Sequence, residues 1–307
     1  MISSIFGRTK PINYIFLALF GLIFLVCYFL IAAPDVFSLA QLPGIALNIF
    51  LVLFTMMLVE FINRKNDLTR DNTYLSFLFL TFLCMFPRIF ADLNAVIAHI
   101  FILLAFRRVI SIRSGQDVRL KIFDAALWVF VATLLYSWSV VFLLLVFAGI
   151  FLYGVNYYKN LLVPLVALVV VAILAITFNL WTGQGLQWAT YFDLTPTFTL
   201  DKYDSLRFLV PVILMACLGI IGLTAYFVGV GRKSYKARIP GWLILFFFAL
   251  AVLLVALVES ANTSELIFVA FPLCVMIVNY LESLERKWIR EVVLWLFLLL
   301  PLVALFL

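Results

Sequence analysis

Apolar residues run in long stretches along the whole chain, and short polar clusters cut the stretches apart. The runs lie at 12–33, 43–62, 73–90, 91–106, 122–138, 139–157, 160–181, 208–230, 239–258, 264–281 and 288–306. A helix rising ~1.5 Å per residue needs ~20 such residues to cross ~30 Å of hydrocarbon. Phe, Leu, Ile and Val fill the runs without strict alternation, unlike the ~10-residue dyad pattern of a membrane barrel. The pattern predicts an all-α polytopic integral membrane protein with about eleven transmembrane helices, a single helical domain over 1–307 with no soluble domain. The run at 12–33 has no small-residue cleavage site and leads at once into a second run, so it is read as a helix that stays.

Two of the breaks come early. Asn72 to Arg88 is 16 residues, or ~24 Å of helix, and Asp92 to Arg107 is 15 residues, or ~22 Å. Both fall short of the ~30 Å core. The next pair repeats the shape, since Asp124 to Ser139 is 15 residues and turns through YSWS at 136–139. Irregular backbone and charge are not tolerated facing lipid. The two short helical hairpins are therefore expected to place the turns at 87–92 and 136–139 below the headgroups, lining one outward-facing cavity.

Composition agrees with the pattern: 67% hydrophobic, 12% charged and a mean hydropathy of +1.22 make the bilayer the solvent. With the N-terminus inside, 18 of the 21 Lys and Arg residues fall in inside segments, and only Arg88, Lys202 and Arg207 fall outside. Basic residues collect on the cytoplasmic side, so the chain is expected to start in the cytoplasm and end across the membrane. The net charge of +6 is then a topology signal and an attraction to anionic membrane lipids, with no nucleic acid implied. The outer loop 181–207 is expected to lie on the membrane surface, anchored by Trp181, Trp188, Tyr191 and Tyr203.

Candidate chemistry is sparse. Cys27, Cys84, Cys217 and Cys274 all sit inside apolar runs without a CxxC pair, and His99 is the single histidine. No metal site, nucleotide loop or catalytic triad can be assembled, and no cofactor is implied. The polar residues left in membrane positions are Arg88 and Asp92, which either pair with one another or present Arg88 to an anion. Tyr136 and Trp138 stand in the aromatic turn, and Asp35 follows Pro34 as a turn former or an acid. His99, seven residues past Asp92 on the same helix face, reads as a core histidine. Near the tenth run, Thr263 or Ser264 can cap the helix and Glu265 can favour its N-terminal dipole. Asn48, Glu60, Asn179 and Asn279 also interrupt the runs.

The stretch FPRIFADLNAVIAHIFILLAFRRVISIRSG, followed by KIFDAALWVFVATLLYSW and SELIFVAFPLCVMIVNYLE, resembles a multi-pass family of the Bacteroidetes inner membrane with no established activity. The likeness runs over nearly the whole chain from SIFGRTKPINY, and it implies a bacterial inner membrane with a periplasmic C-terminus. More remotely, an asparagine-bearing helix ending in paired arginines, then short hairpins with an aromatic turn, is similar to the membrane half of GT-C glycosyltransferases. That likeness implies a polyprenyl-phosphate-linked substrate, with Asp35 as catalytic acid or base. On that likeness Arg88 would hold the lipid phosphate, and Asp92, Tyr136, Trp138 and Glu265, by their places at the turns and the outer face, are the further candidate substrate contacts. The first outside loop, PDVFSLAQL, is far shorter than in those enzymes and carries one acid.

Three function classes stand side by side: a lipid-carrier glycosyltransferase or a binder of such a lipid, a non-catalytic scaffold for envelope membrane-protein partners, and a transporter of lipid or a small molecule. A transporter should show internal repeats and polar residues at the midplane, and neither is evident in the sequence. The topology has a direct test. Single cysteines placed in 113–121 or 232–238 of a cysteine-free chain should react with a membrane-impermeant maleimide only from the cytoplasmic side, and labelling from outside would invert the topology.

Overall fold

In hydrocarbon no water is at hand for the backbone, so each apolar run satisfies its own N–H and C=O groups by coiling. The computed structural model describes residues 2–31, 42–183, 206–258 and 263–306, and every regular element among them is helical. The α-helices are α1 Ile2–Phe6, α2 Pro11–Ile31, α3 Leu42–Asn66, α4 Tyr74–Met85, α5 Leu93–Ser111, α6 Val118–Leu135, α7 Leu143–Leu152, α8 Tyr158–Thr182, α9 Leu206–Gly231, α10 Tyr235–Leu257, α11 Ile267–Ser283 and α12 Lys287–Phe306. Asp35 lies outside the described residues, as do Trp188, Tyr191 and Tyr203 of the 181–207 loop.

Helices α2 to α12 fall on the eleven apolar runs, and the molecule is a membrane protein. Seven segments among the described residues are long and apolar enough to cross: Pro11–Tyr28, Pro43–Asn66, Leu93–Ser114, Tyr158–Thr182, Leu209–Gly231, Ala237–Leu257 and Ser264–Ser283. The expected eleven reduce to seven by length and composition, and for α4, α6 and α7 the cause is visible. Helices α4 and α7 have only 12 and 10 residues. Helix α6 has 18 residues and carries Arg119, Lys121 and Asp124 near its start.

Each hairpin has one short helix, α4 or α7, while α5, expected to be short, runs 19 residues and is long enough to cross; the turns have local causes. Pro87 cannot continue α4, because it lacks an N–H and its ring restricts the preceding residue. The chain passes into a 3₁₀ turn over Pro87–Ala91 before α5 begins. The second hairpin turns through a 3₁₀ segment over Ser137–Phe142. Gly115, Gly154 and Gly183 end α5, α7 and α8 at φ of 70°, 67° and 71°, the left-handed region that glycine enters without strain.

The described chain groups into two compact units. The first holds α1 to α4, the opening turn of α5, and α9, α11 and α12. Its centre is α4, buried along all its residues, together with α11, buried at thirteen positions. A helix that is apolar on every side belongs in a core. Helices α2, α3, α11 and α12 all contact α4, and α9 lies along α11. There the backbones approach closely: a Cβ on Gly222 would stand 3.3 Å from the Ile277 nitrogen and 3.4 Å from its Cα. The outer face of α2 shows Ile12, Ile15, Phe16, Leu19 and Ile23 to the surroundings, a stripe suited to lipid.

The second unit holds the rest of α5 with α6, α7, α8 and α10. Phe247 of α10 meets Phe106 edge-on at 5.2 Å and Phe142 at 5.0 Å. Ala126 and Phe130 of α6 pack on Ala167 and Val171 of α8. Arg108 pairs with Asp124 at 3.0 Å, and the Tyr153 hydroxyl donates to the Ile110 carbonyl at 3.2 Å.

The Gly222 contact generates a packing prediction. Gly222→Leu has helix backbone in its way, which cannot yield as a flexible side chain would. The variant should lose about 1–3 kcal/mol, seen as a lower unfolding midpoint in detergent, while Gly229→Leu, in open space, should leave the midpoint unchanged.

Candidate functional site

At the turn between α4 and α5, Pro87 forces the break and Asp92 repairs it. The polar residues of this neighbourhood include Arg88, Asp92, Asn94, Thr263, Ser264 and Glu265. Asp92 is the last residue before α5, and its Oδ1 accepts the Ala95 N–H at 3.0 Å, satisfying one of the helix's unpaired first-turn donors. Its Oδ2 accepts the Ser264 hydroxyl at 2.6 Å. Ser264 belongs to a 3₁₀ turn, Ser264–Leu266, which opens α11. From α3, the Asn48 side-chain amide donates to the Phe90 carbonyl. One carboxylate and one amide thus tie the break in the first hairpin to two other helices of its unit.

The electrostatic consequence is that Asp92 is engaged on both oxygens. Ser264 and Glu265 are buried in the turn that Asp92 holds. The expected capping role of Thr263 or Ser264 does not occur: no side chain caps that turn, and Ser264 gives its hydroxyl to Asp92 across the fold. Glu265 does sit in the first turn, where the helix dipole favours it. Thr263 takes a left-handed φ of 54°. Arg88, by contrast, lies exposed on the 3₁₀ turn between Phe86 and Asp92.

The structure brings Arg88, Asp92 and Glu265 into one unit, on two turns that touch. Tyr136 and Trp138 belong to the second unit, both half-buried. Tyr136 ends α6 in extended conformation, its N–H donating to Ala132 and its carbonyl accepting from Ser139, each at 2.9 Å. His99 is fully buried. No group of three or more His, Cys, Asp or Glu side chains among the described residues is placed to hold a metal ion.

Sequence reasoning passed over a second polar centre. At the far end of α3 from Asn48, twelve residues or ~18 Å on, Glu60 accepts from Arg64 Nε at 2.7 Å, Tyr14 at 2.9 Å and Ser76 at 2.8 Å. Nearby, Glu282 of α11 accepts the Arg70 N–H at 3.0 Å and the Asn72 amide at 2.5 Å. Glu60 and Asn279 were visible as interruptions of apolar runs, and the Glu60/Arg64 spacing of four marks a helical ion pair. Glu282 carried no signal beyond its place at a run's end.

A family model covers residues 10–307, its description being a family of unknown function, DUF6427. The chain belongs to this family. No curated protein and no solved structure matches it.

The clamp predicts how this DUF6427 chain responds to substitution. Asp92→Ala removes a helix cap and a cross-helix acceptor, and should cost about 1–3 kcal/mol. Ser264→Ala should cost less. The two changes should be non-additive in a double-mutant cycle of detergent unfolding midpoints, because they remove one shared bond.

Proposed function

We propose that the protein is a multi-pass protein of a bacterial inner membrane that binds the phosphate of a polyprenyl-type lipid at the outward-facing α4–α5 turn through Arg88, without reacting it. The observation that carries this reading is that the turn presents the guanidinium of Arg88 at an exposed position. A guanidinium presents a planar fork of donors that suits a phosphate by bidentate hydrogen bonding.

Transfer chemistry at this turn asks for a carboxylate open to substrate as acid or base. Asp92 is held as a cap and Glu265 is buried, which favours binding over catalysis. The GT-C-like reading rests on Asp35 as that acid, and Asp35 lies outside the described residues.

The purified protein should bind a polyprenyl monophosphate, read by native mass spectrometry. Arg88→Ala and Arg88→Lys should both weaken that binding about tenfold or more, since lysine loses the fork. Asp35→Asn should bind as the parent does. Unchanged binding in both arginine variants would overturn the proposal. Sugar transfer from a polyprenyl-linked donor that Asp35→Asn abolishes would replace it with the glycosyltransferase reading.

A further inference from the structure

Within the first unit, spans ending at Asn66, Gly231 and Ser283 surround an open cavity of about 550 Å³. This is in the size range of small-ligand pockets. Its rim carries both signs of charge: Asp67, Asp71 and Glu282 as acids, Arg70 and Lys233 as bases. Tyr226, Val230 and Leu68 add buried apolar wall. The cavity is built by side chains holding a loop in place. Asn63 Oδ1 accepts the Thr69 N–H at 3.0 Å, the Asn279 amide donates to the Leu68 carbonyl at 3.0 Å, and Glu282 receives the Arg70 N–H. Asp67 is left-handed at φ 49°, and Asp71 Oδ1 accepts the Thr9 hydroxyl at 2.6 Å.

Each feature narrows the ligand. An inorganic anion would be served by bases alone and repelled by three carboxylates. The described residues place no cluster of three ligating side chains for a metal ion. Three helix C-termini meet here, and their partial negative charges favour a cation. Arg70 and Lys233 beside them favour an anion. The position, where membrane spans end and apolar wall begins, is headgroup depth. We infer that the cavity holds the headgroup of a zwitterionic aminophospholipid, with its ammonium against Asp67 and Asp71 and its phosphate against Arg70 and Lys233. The shared chemistry is an ammonium two carbons from a phosphate ester, which a lipid or a soluble phosphodiester can carry, and the apolar wall assigns it to the lipid.

The experiment uses the full chain in detergent, with native mass spectrometry against three probes: phosphatidylethanolamine, phosphatidylglycerol and soluble glycerophosphoethanolamine. Phosphatidylethanolamine should bind about tenfold tighter than phosphatidylglycerol, the worth of one charge-assisted hydrogen bond. Asp67→Asn keeps a residue that tolerates the left-handed backbone, and it should abolish this preference while leaving phosphatidylglycerol binding unchanged. Arg70→Gln spares the backbone bond to Glu282 and should weaken both lipids. Retained unfolding midpoints would show both variants folded, and Asp71→Asn is the alternative if Asp67→Asn lowers the midpoint. Equal binding of the two lipids by the parent, or a preference untouched by the acid variants, would overturn the inference. Soluble glycerophosphoethanolamine binding as tightly as the lipid would overturn the assignment to a membrane ligand.

Discussion

A backbone polar group facing hydrocarbon without a partner costs several kcal/mol, and that single penalty organises this molecule. Helices meet it internally along their length, so the places where it must be answered otherwise are the breaks. At nearly every described break in the first unit a side chain is found bonded to backbone. Asn48 takes the Phe90 carbonyl, Asp92 the Ala95 N–H, Asn13 the carbonyls of Ile5 and Arg8, and Asn279 that of Leu68. The few polar residues of an apolar chain are concentrated where the helices stop.

That economy separates the two ends of the first unit. At the α4–α5 turn the polar groups are consumed in closing the break, because a buried α4 of 12 residues leaves the turn beside the core. Asp92 bridges to Ser264, Glu265 is buried, and Arg88 lies at the surface of the same turns. At the other end the loop 67–72 is held from behind, by Asn63, Asn279 and Glu282, with its charged side chains turned to an open cavity. One end is locked by its polar residues; the other is propped open by them.

Close helix contact supplies the remaining rigidity. In a bilayer the gain from burying apolar surface between helices is small, since lipid is as apolar as leucine, and small residues that let backbones approach become the means of association. Gly222 and Gly219 against α11, and Gly149 against Val109 in the second unit, are such places. Stacked and edge-on aromatic pairs such as Phe101 with Trp128 fill the spaces between other helices.

Helix class, membrane residence, the positions of the helices and the breaks between them were legible from sequence, because each depends on local runs, prolines and the thickness of hydrocarbon; the length of α5 was not, because its helix runs on past Arg107 to Ser111. Polar residues inside the runs were also visible as anomalies. What they bond was not legible, since Asp92 and Ser264 are 172 positions apart and Asn48 and Phe90 are 42 apart. Sequence could assign Ser264 a local cap; only packing could offer it a better acceptor on another helix. The same holds for Glu282, ordinary in its own segment, whose partners Arg70 and Asn72 lie 212 and 210 positions away. Local pattern determined which elements exist and that they sit in lipid. The tertiary structure decided which distant group each of these polar side chains bonds, because that depends on which turns the helices bring face to face.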